Sequence, residues 1–316
     1  MTSRTPPRPT GSHPRGGTAG GENAVEVRGL SKRYGDRVVL DGFDLTVAAG
    51  ETYALLGPNG AGKSTAVEIL EGFRRPGGGE VRVLGEEPLG ASRSWRSELG
   101  IVAQQTGDLG PYSPRELIEH FGGLYPDPRS ADEVLEMVGL AEHAGRRAGK
   151  LSGGQQRRLD VALGIVGRPR LLFLDEPTTG FDPEARRQFW SMLEGLAGQG
   201  TAILLTTHYL DEAARLADRV GVLTGGRIVA EAPPAELGGA AARVPVVRWR
   251  DRSGTRREER SERPAELVSR LYDEHGGEPE DLEVRRPELE QIYLELIGES
   301  ATSGPSHDIH RTEAAA

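Results

Sequence analysis

The residues with the clearest chemical potential lie at positions 57–64, which read GPNGAGKS. This run matches the pattern G-x-x-x-x-G-K-S, whose glycines let backbone N–H groups curl around phosphate oxygens. The apolar run Thr52–Leu56 precedes it and is typical of a buried strand, and Ser64–Leu70 follows as a helix whose N-terminus adds positive potential. The sequence therefore predicts a phosphate-binding loop between a strand and a helix.

The lysine of this loop is unusual for this chain. Lysine and arginine together number 39, but only three of them are lysines: Lys32, Lys63 and Lys150. A slim point charge fits among phosphates where a planar guanidinium does not. We expect Lys63 to reach the terminal phosphates of a nucleotide and Ser64 to ligate Mg²⁺. A chance match in a chain with 44 glycines is the alternative, and the flanking strand and helix disfavour it.

A second motif is the apolar strand Leu171–Leu174, which ends in two acids, Asp175 and Glu176. Asp175 stands where a carboxylate helps to hold Mg²⁺ through its water ligands. Glu176 lies one residue further, where it can polarise a water in line with a γ-phosphate. A buried strand that merely ends in an acid would explain one carboxylate, but not the pairing of two with a phosphate loop.

A third motif, LSGGQQRR at positions 151–158, lies just upstream of that strand. Ser152 is expected to cap a helix, and Gly153 and Gly154 would let a phosphate approach the helix N-terminus, so the motif predicts a second anion site. With this motif the sequence resembles the ATP-binding subunits of ABC transporters, whose signature is LSGGQ. The resemblance covers Val25 to about Leu237.

The resemblance implies roles for further residues. Tyr34 matches the aromatic residue that stacks on adenine, although a tyrosine in a surface turn is the alternative. Gln104 matches the glutamine that touches Mg²⁺ and the attacking water, with Gln105 as the alternative one position along. His208 matches the switch histidine that contacts the γ-phosphate. Asp182 matches the loop that crosses to the opposite subunit.

The resemblance also implies a homodimer, in which the signature helix of one subunit faces the ATP held by the phosphate loop of the other. Closure of such a dimer excludes water, and hydrolysis removes the ATP that holds it together. Ser152 and Gly154 would then contact the partner's ATP. The catalytic candidates are Glu176, His208 and Gln104; the Mg²⁺ candidates are Ser64, Gln104 and Asp175; and the ATP candidates are Tyr34, Gly57, Pro58, Asn59, Gly60, Ala61, Gly62, Lys63, Ser64, Thr65, Ser152, Gly154 and Asp182.

The elements that must position these residues alternate between short apolar runs and amphipathic stretches. This pattern predicts an α/β fold with a mostly parallel sheet covered on both faces, and the resemblance makes it a P-loop NTPase of the ABC ATPase type with a helical subdomain. The predicted strands are Val25–Val27, Val38–Val47, Thr52–Leu56, Val81–Leu84, Leu171–Leu174, Ala202–Thr206 and Val220–Leu223, followed in the C-terminal part by Val244–Trp249 and Leu282–Val284. The predicted helices are Ser64–Leu70, Pro114–Leu124, Asp132–Val138, Gly153–Val166, Pro183–Leu196 and Leu210–Ala217, followed in the C-terminal part by Pro264–His275 and Pro287–Ile297.

The predicted domains are a disordered tail over 1–22, the ATP-binding domain over 23–238, a C-terminal α+β domain over 239–298 and a disordered tail over 299–316. We expect the C-terminal domain to dock or to stabilise a dimer, with a regulatory ligand domain as the alternative. Its expected core comprises Val244, Val246, Leu267, Leu271, Leu282, Val284, Leu289, Ile292, Tyr293 and Leu296.

Composition excludes several other classes of protein. The net charge of −9 argues against a general nucleic-acid binder. The chain has no cysteine, which excludes disulfides, zinc–cysteine sites and cysteine nucleophiles. No window approaches 18 consecutive apolar residues, so we expect no direct membrane insertion. A membrane role would come through a partner.

The stretches 66–74 and 289–298 look like the drug-export branch of the family, the daunorubicin-resistance type, although 289–298 would also suit a generic amphipathic helix. That branch implies a separate ABC-2 type permease, a drug-like or hydrophobic cargo, and a peripheral position on the cytoplasmic face of the membrane. The family docks a permease helix on the region after Gln104, roughly Thr106–Glu116. The alternative is a non-transport ABC ATPase switch acting on translation or DNA repair, but such proteins carry a second cassette, long coiled coils or zinc modules.

Overall fold

A computed structural model of the chain describes residues 23–102 and 109–302. The strands are β1 (Asn23–Tyr34), β2 (Arg37–Ala48), β3 (Thr52–Leu56), β4 (Gly78–Val83), β5 (Leu99–Val102), β6 (Leu171–Asp175), β7 (Ala202–Thr207), β8 (Arg219–Thr224), β9 (Arg227–Ala232), β10 (Val246–Arg250), β11 (Arg256–Arg260) and β12 (Glu283–Arg285). The helices are α1 (Lys63–Leu70), α2 (Arg93–Ser97), α3 (Pro114–Gly122), α4 (Ala131–Met137), α5 (Gly153–Ile165), α6 (Pro183–Gly198), α7 (Leu210–Leu216), α8 (Gly239–Ala242), α9 (Pro264–His275) and α10 (Leu289–Thr302).

The central sheet has six strands in the order β5-β6-β7-β3-β8-β9. Its first five strands are parallel, and β9 alone runs antiparallel, against β8. Leu56 pairs with Thr207, and Asp175 pairs with Thr206, so β3, β6 and β7 end at the same edge. The loops that follow these strands therefore lie together, as ligand-binding loops do in open α/β sheets.

The middle strands are buried on both faces, which explains their continuous apolar runs. In β6, Leu172 and Leu174 face a core shared with α3, α4, α5 and α6, whereas Leu171 and Phe173 face the opposite core. The mostly parallel sheet predicted from the sequence is confirmed.

The second face of the sheet is covered by α1 and by a separate antiparallel sheet, β2-β1-β4, rather than by helices alone. The sequence predicted the three strands but not that they form their own sheet. Strands β5 and β9 and helix α2 carried no prediction. β5 has four residues and α2 has five, too few to show a period, and β9 is only half-buried.

The C-terminal part contains the sheet β11-β10-β12, on which α9 packs. Its core is smaller than predicted: Leu267 and Leu271 of α9 pack on Val247 of β10, with Trp249 and Leu282 beside them. β11 is a fully exposed, charged strand that the alternation of apolar residues could not reveal.

Helix α10 does not complete that small core, and this part of the prediction is wrong. Ile292 is fully buried, and α10 packs on α7, β8 and β9 of the ATP-binding part. A Cβ on Gly238 would lie 2.5 Å from Cγ2 of Ile292, so the chain needs glycine where it leaves the ATP-binding part. Four further residues of α10 pack against the core of the ATP-binding part and not against the small C-terminal core: Leu289, Tyr293, Leu296 and Ile297.

Candidate active site

The phosphate loop lies between β3 and α1, as predicted, and its glycines are required by close contacts. A Cβ on Gly57 would lie 2.4 Å from the carbonyl oxygen of Leu223, and one on Gly62 would lie 2.9 Å from that of Val39. Gly60 and Gly62 have φ values of 80° and 108°, in the left-handed region. Gly62 also provides the N-cap of α1 without a side-chain cap, which leaves first-turn N–H groups for an anion.

Lys63 bends back over this loop. Its Nζ donates to the carbonyl oxygens of Gly57, at 2.7 Å, and Pro58, at 3.3 Å. Burial lowers the pKa of this ammonium group, and the nearby carboxylates of Glu176 and Asp175 oppose that shift. The structure therefore holds a buried cation whose hydrogen bonds go to carbonyl groups of a phosphate loop, an arrangement that suits an anionic ligand.

Ser64 and Asp175 bring their side-chain oxygens together. Ser64 Oγ lies 3.4 Å from Asp175 Oδ2, and Thr206 Oγ1 donates to the other carboxylate oxygen, Oδ1. The neighbouring strand β7 thus orients the carboxylate toward the phosphate loop. A hydroxyl and a carboxylate are oxygen ligands of the type that Mg²⁺ prefers, together with substrate phosphates.

Glu176 sits in a strained backbone conformation just past β6. Its φ is 45°, and its N–H donates to the carbonyl oxygen of Thr206 at 3.1 Å. A non-glycine residue in this region costs on the order of 1–3 kcal/mol, and such strain collects at functional sites. His208, which follows β7, places its Nδ1 3.5 Å from Glu176 Oε1. The structure thus brings these two candidates into contact.

Tyr34 lies at the end of β1, and the residue is 41% exposed. Lys32 Nζ and the Arg74 guanidinium lie 5.3 and 5.5 Å from the ring centroid. Arg37, in the same hairpin, reaches the carbonyl oxygen of Gly60 at 3.5 Å, so the hairpin borders the phosphate loop. The placement leaves the tyrosine available to a base held beside that loop.

The signature segment forms a second, separate concave surface. Ser152 caps α5: its hydroxyl accepts from Gln155 N, and Gln155 Oε1 accepts from Ser152 N. Gly154 and Asp182 help to line a cavity of about 460 Å³ in front of this helix end. Among the described residues, its lining includes none from the phosphate loop. Asp182 itself caps α6, accepting from the backbone N–H groups of Glu184 and Ala185.

The remaining residues of the phosphate loop, Pro58, Asn59, Ala61 and Thr65, lie in the same turn and first helical turn. Gln104 and its alternative Gln105 lie outside the described residues.

Arg157 lies in the signature motif, and the structure shows a role for it that the motif does not indicate. This buried side chain donates from Nε to the carbonyl oxygen of Pro177 at 3.0 Å and from Nη2 to that of Asp175 at 2.8 Å. It thereby fixes the backbone on both sides of Glu176 to the signature helix. Nothing in the polar run QQRR indicates that the guanidinium of this arginine is buried.

Glu212 is a second residue that the sequence did not reveal. It is fully buried on α7, and its Oε1 accepts from Thr178 Oγ1 at 2.9 Å and from Trp190 Nε1 at 3.0 Å. Burial raises the pKa of this carboxyl, while its hydrogen-bond donors lower it. The contact ties the loop after Glu176 to the helix after His208.

Comparison with known proteins gives consistent findings. The family model for "ABC transporter" matches residues 40–179. A daunorubicin resistance ATP-binding protein of Streptomyces coeruleorubidus, DrrA3, is 37% identical over 308 residues, covering 88% of this chain and 97% of that protein. A Nod factor export ATP-binding protein I of a Rhizobium species (strain N33) is 44% identical over 220 residues, covering 68% of this chain and 72% of its own length.

Among solved structures, the ATP-binding subunit of an ABC transporter superposes with a TM-score of 0.63 at 22% identity. It covers 86% of this chain and 99% of its own length, so the likeness extends beyond the nucleotide-binding part. At this identity the likeness establishes the fold.

Proposed function

This chain belongs to the ABC transporter family of ATP-binding subunits, and we propose that it powers export of a drug-like or hydrophobic compound through a separate membrane permease. The chain is an ABC-type ATPase. The observation that carries the assignment of residues is the convergence of Lys63, Asp175, Glu176 and His208 at one edge of the central sheet.

In the proposed reaction, the phosphate loop holds the triphosphate through backbone N–H groups and Lys63. Glu176 polarises a water for attack on the γ-phosphate, and His208 orients that carboxylate and contacts the phosphate. Ser64 and Asp175, with Gln104, are the residues that would hold Mg²⁺. When bound, the ion would neutralise charge on the β- and γ-phosphate oxygens.

The proposed assembly is a homodimer with ATP shared across it. The signature cavity and the phosphate loop are separate surfaces of one chain, so one nucleotide cannot be expected to use both in a monomer. A second copy would bring Ser152, Gly154 and Asp182 onto the ATP held by the first, with the helix end facing its phosphates.

The cargo and location rest on the relatives. Their names refer to daunorubicin resistance and Nod factor export. No helix in the described ranges is long and apolar enough to cross a bilayer. From these relatives we propose that the chain lies on the cytoplasmic face of the membrane, attached through an ABC-2 type permease.

The test is transport itself. Inside-out membrane vesicles containing the chain and a co-expressed candidate permease should accumulate a fluorescent anthracycline only when ATP is present. Vesicles carrying Glu176→Gln should not accumulate it. ATP turnover without uptake, together with sedimentation of the chain with ribosomes, would favour the translation switch instead.

In the predicted permease-docking region, 106–116, of which 106–108 lie outside the described residues, Arg115 pairs with Asp132 of α4, so reversal of its charge would also disturb the packing of α3 on α4. Tyr112 is 56% exposed just before α3. In the same vesicles, Tyr112→Asp should release the chain from the membrane fraction and leave its ATP binding in solution unchanged.

A further inference from the structure

A histidine outside the predicted site contacts the signature helix. His143 ends a short helical turn, Ala141–His143, in the helical subdomain. Its Nε2 lies 2.8 Å from Nε2 of Gln155, the last residue of the LSGGQ run. The turn is anchored, since His143 N donates to the carbonyl oxygen of Leu140, which is fully buried, and Arg115 N donates to that of Ala144.

The other contacts of Gln155 decide how this pair is oriented. Gln155 Oε1 accepts from the backbone N–H of Ser152 at 3.0 Å, so the oxygen of the amide must face the helix end. The amide nitrogen then faces the imidazole and donates to it. His143 Nε2 must therefore be the acceptor, which requires the neutral tautomer with its proton on Nδ1.

We propose that His143 is a positioning residue for the signature helix, acting through Gln155 on the site that receives the partner's ATP. The imidazole holds the Gln155 amide in the orientation that caps Ser152. Ser152 then keeps its own hydroxyl on Gln155 N, at 3.3 Å, and the helix end keeps its shape. This inference rests on the proposed ATP-sharing dimer.

Loss of the His143 contact should affect the site that receives the partner's ATP and not the chain's own phosphate loop. Ser152, Gly154 and Gln155 all line the signature cavity, whereas the phosphate loop lies elsewhere. Loss of the His143 contact should weaken capture of the partner's ATP and spare binding of ATP by the chain's own phosphate loop.

The experiment uses the full chain carrying Glu176→Gln, which keeps ATP unhydrolysed. Two variants differ by one methylene: His143→Gln can place a carbonyl oxygen where Nε2 lies, and His143→Asn is too short to do so. Light scattering would give the ATP concentration for half-maximal dimerisation. Fluorescent ATP at protein concentrations too low for dimerisation would give the affinity of the monomer.

We expect His143→Asn to raise the ATP concentration for half-maximal dimerisation about two- to tenfold, because one hydrogen bond per signature helix is lost. His143→Gln should match the parent, and neither should change the monomer's affinity. The matched control is His120→Ala, an exposed histidine on α3, which should behave as the parent.

Two results would overturn the inference alone: His143→Asn dimerising like the parent, or His143→Gln failing as badly as His143→Asn. The second would mean that the shape of the ring matters and not its acceptor. If the Glu176→Gln parent itself does not dimerise with ATP, the proposed dimer and this inference both fall. A melting temperature for each variant shows that it is folded.

Discussion

At the scale of single residues, backbone geometry sets Glu176, the proposed catalytic carboxylate, apart from its neighbour Asp175. Asp175 is held by Thr206 and Ser64, whereas Glu176 turns away from β6 through a left-handed backbone conformation. Its side chain is thereby released from the sheet and meets His208. The strain at Glu176 is supported by its N–H, which donates to Thr206.

We expect Glu176→Gln to lower ATP hydrolysis by about 10²–10⁴-fold, since a general base is lost and the phosphate loop is untouched. ATP binding by the monomer should stay within a few-fold of wild type. Phosphate release and nucleotide affinity measure the two effects. Turnover close to wild type would show that another group is the base.

A second residue-scale prediction concerns Glu71, at the end of α1. Burial, reinforced by the negative charges of Asp175 and Glu68, raises the pKa of this carboxyl from 4.5 to about 8. The folded protein therefore keeps a proton that the unfolded chain has released, and stability should fall as the pH rises from about 4.5 to about 8. Above that range the loss is complete.

Glu71→Gln removes this titration. The variant should melt close to wild type at pH 5 and above it at pH 9, because only wild type must keep this carboxyl protonated in the folded state at a pH where the unfolded chain releases the proton. Calorimetry across this pH range is the measurement. Parallel melting curves for the two proteins would contradict the raised pKa.

Residues could be predicted from the sequence where a motif fixes them by spacing along the chain. Asp175 is the last residue of β6, Lys63 lies in the loop that follows β3, and His208 directly follows β7; parallel strands bring such ends together. Arg157 and Glu212 could not be predicted in this way, because their roles depend on contacts 18 to 34 residues away in the chain.

At the scale of elements, the signature helix α5 contacts the sheet edge that carries Asp175 and Glu176, and its N-terminus also lines the signature cavity, the concave surface beside Gly154 and Asp182. Arg157 holds the backbone of Asp175 and Pro177, one turn along from Ser152 and Gly154. One helix therefore spans the partner-facing surface and the residue that would activate water. Contacts of a partner subunit with the N-terminus of α5 would therefore influence the position of Glu176.

The two anion sites should separate in mutants. Lys63→Ala should weaken ATP binding by the monomer, because the buried ammonium is lost. Ser152→Arg should spare that binding and prevent ATP-dependent dimerisation, because it fills the signature cavity and removes the cap. Both are measured by nucleotide titration and light scattering. An equal loss of monomer affinity in both would contradict the assignment of Ser152 to the partner's ATP.

The elements that escaped prediction share a physical cause. β11 pairs through backbone hydrogen bonds while every side chain points to solvent, so no apolar period marks it. The apolar stripe of α10 was visible in the sequence, but a stripe does not say which surface it covers. The pairing of β11 with β10 and the packing of α10 on α7, β8 and β9 decided the two cases.

At the scale of the whole molecule, α10 ties the C-terminal part to the ATP-binding part. The chain leaves the larger unit at Gly238, forms the β10–β12 sheet with α9, and returns so that α10 packs on α7, β8 and β9. Deletion of 239–316 would therefore strip a helix from the core of the larger unit, in addition to removing the proposed accessory domain. Deletion of 303–316 leaves α10 in place and should change neither ATP binding nor dimerisation.

Two substitutions on α10 test this tie directly. Ile292→Ala should lower the free energy of unfolding by about 2–5 kcal/mol, because it empties a fully buried position between Gly238 and the core. Leu294→Ala, two residues along on the same helix and 54% exposed, is the matched control and should change stability little. Urea unfolding measures both. Equal, small effects would mean that α10 does not stabilise the ATP-binding part. A large effect of Ile292→Ala alone would show that α10 stabilises the edge of the central sheet formed by β8 and β9, of which β8 pairs directly with β3.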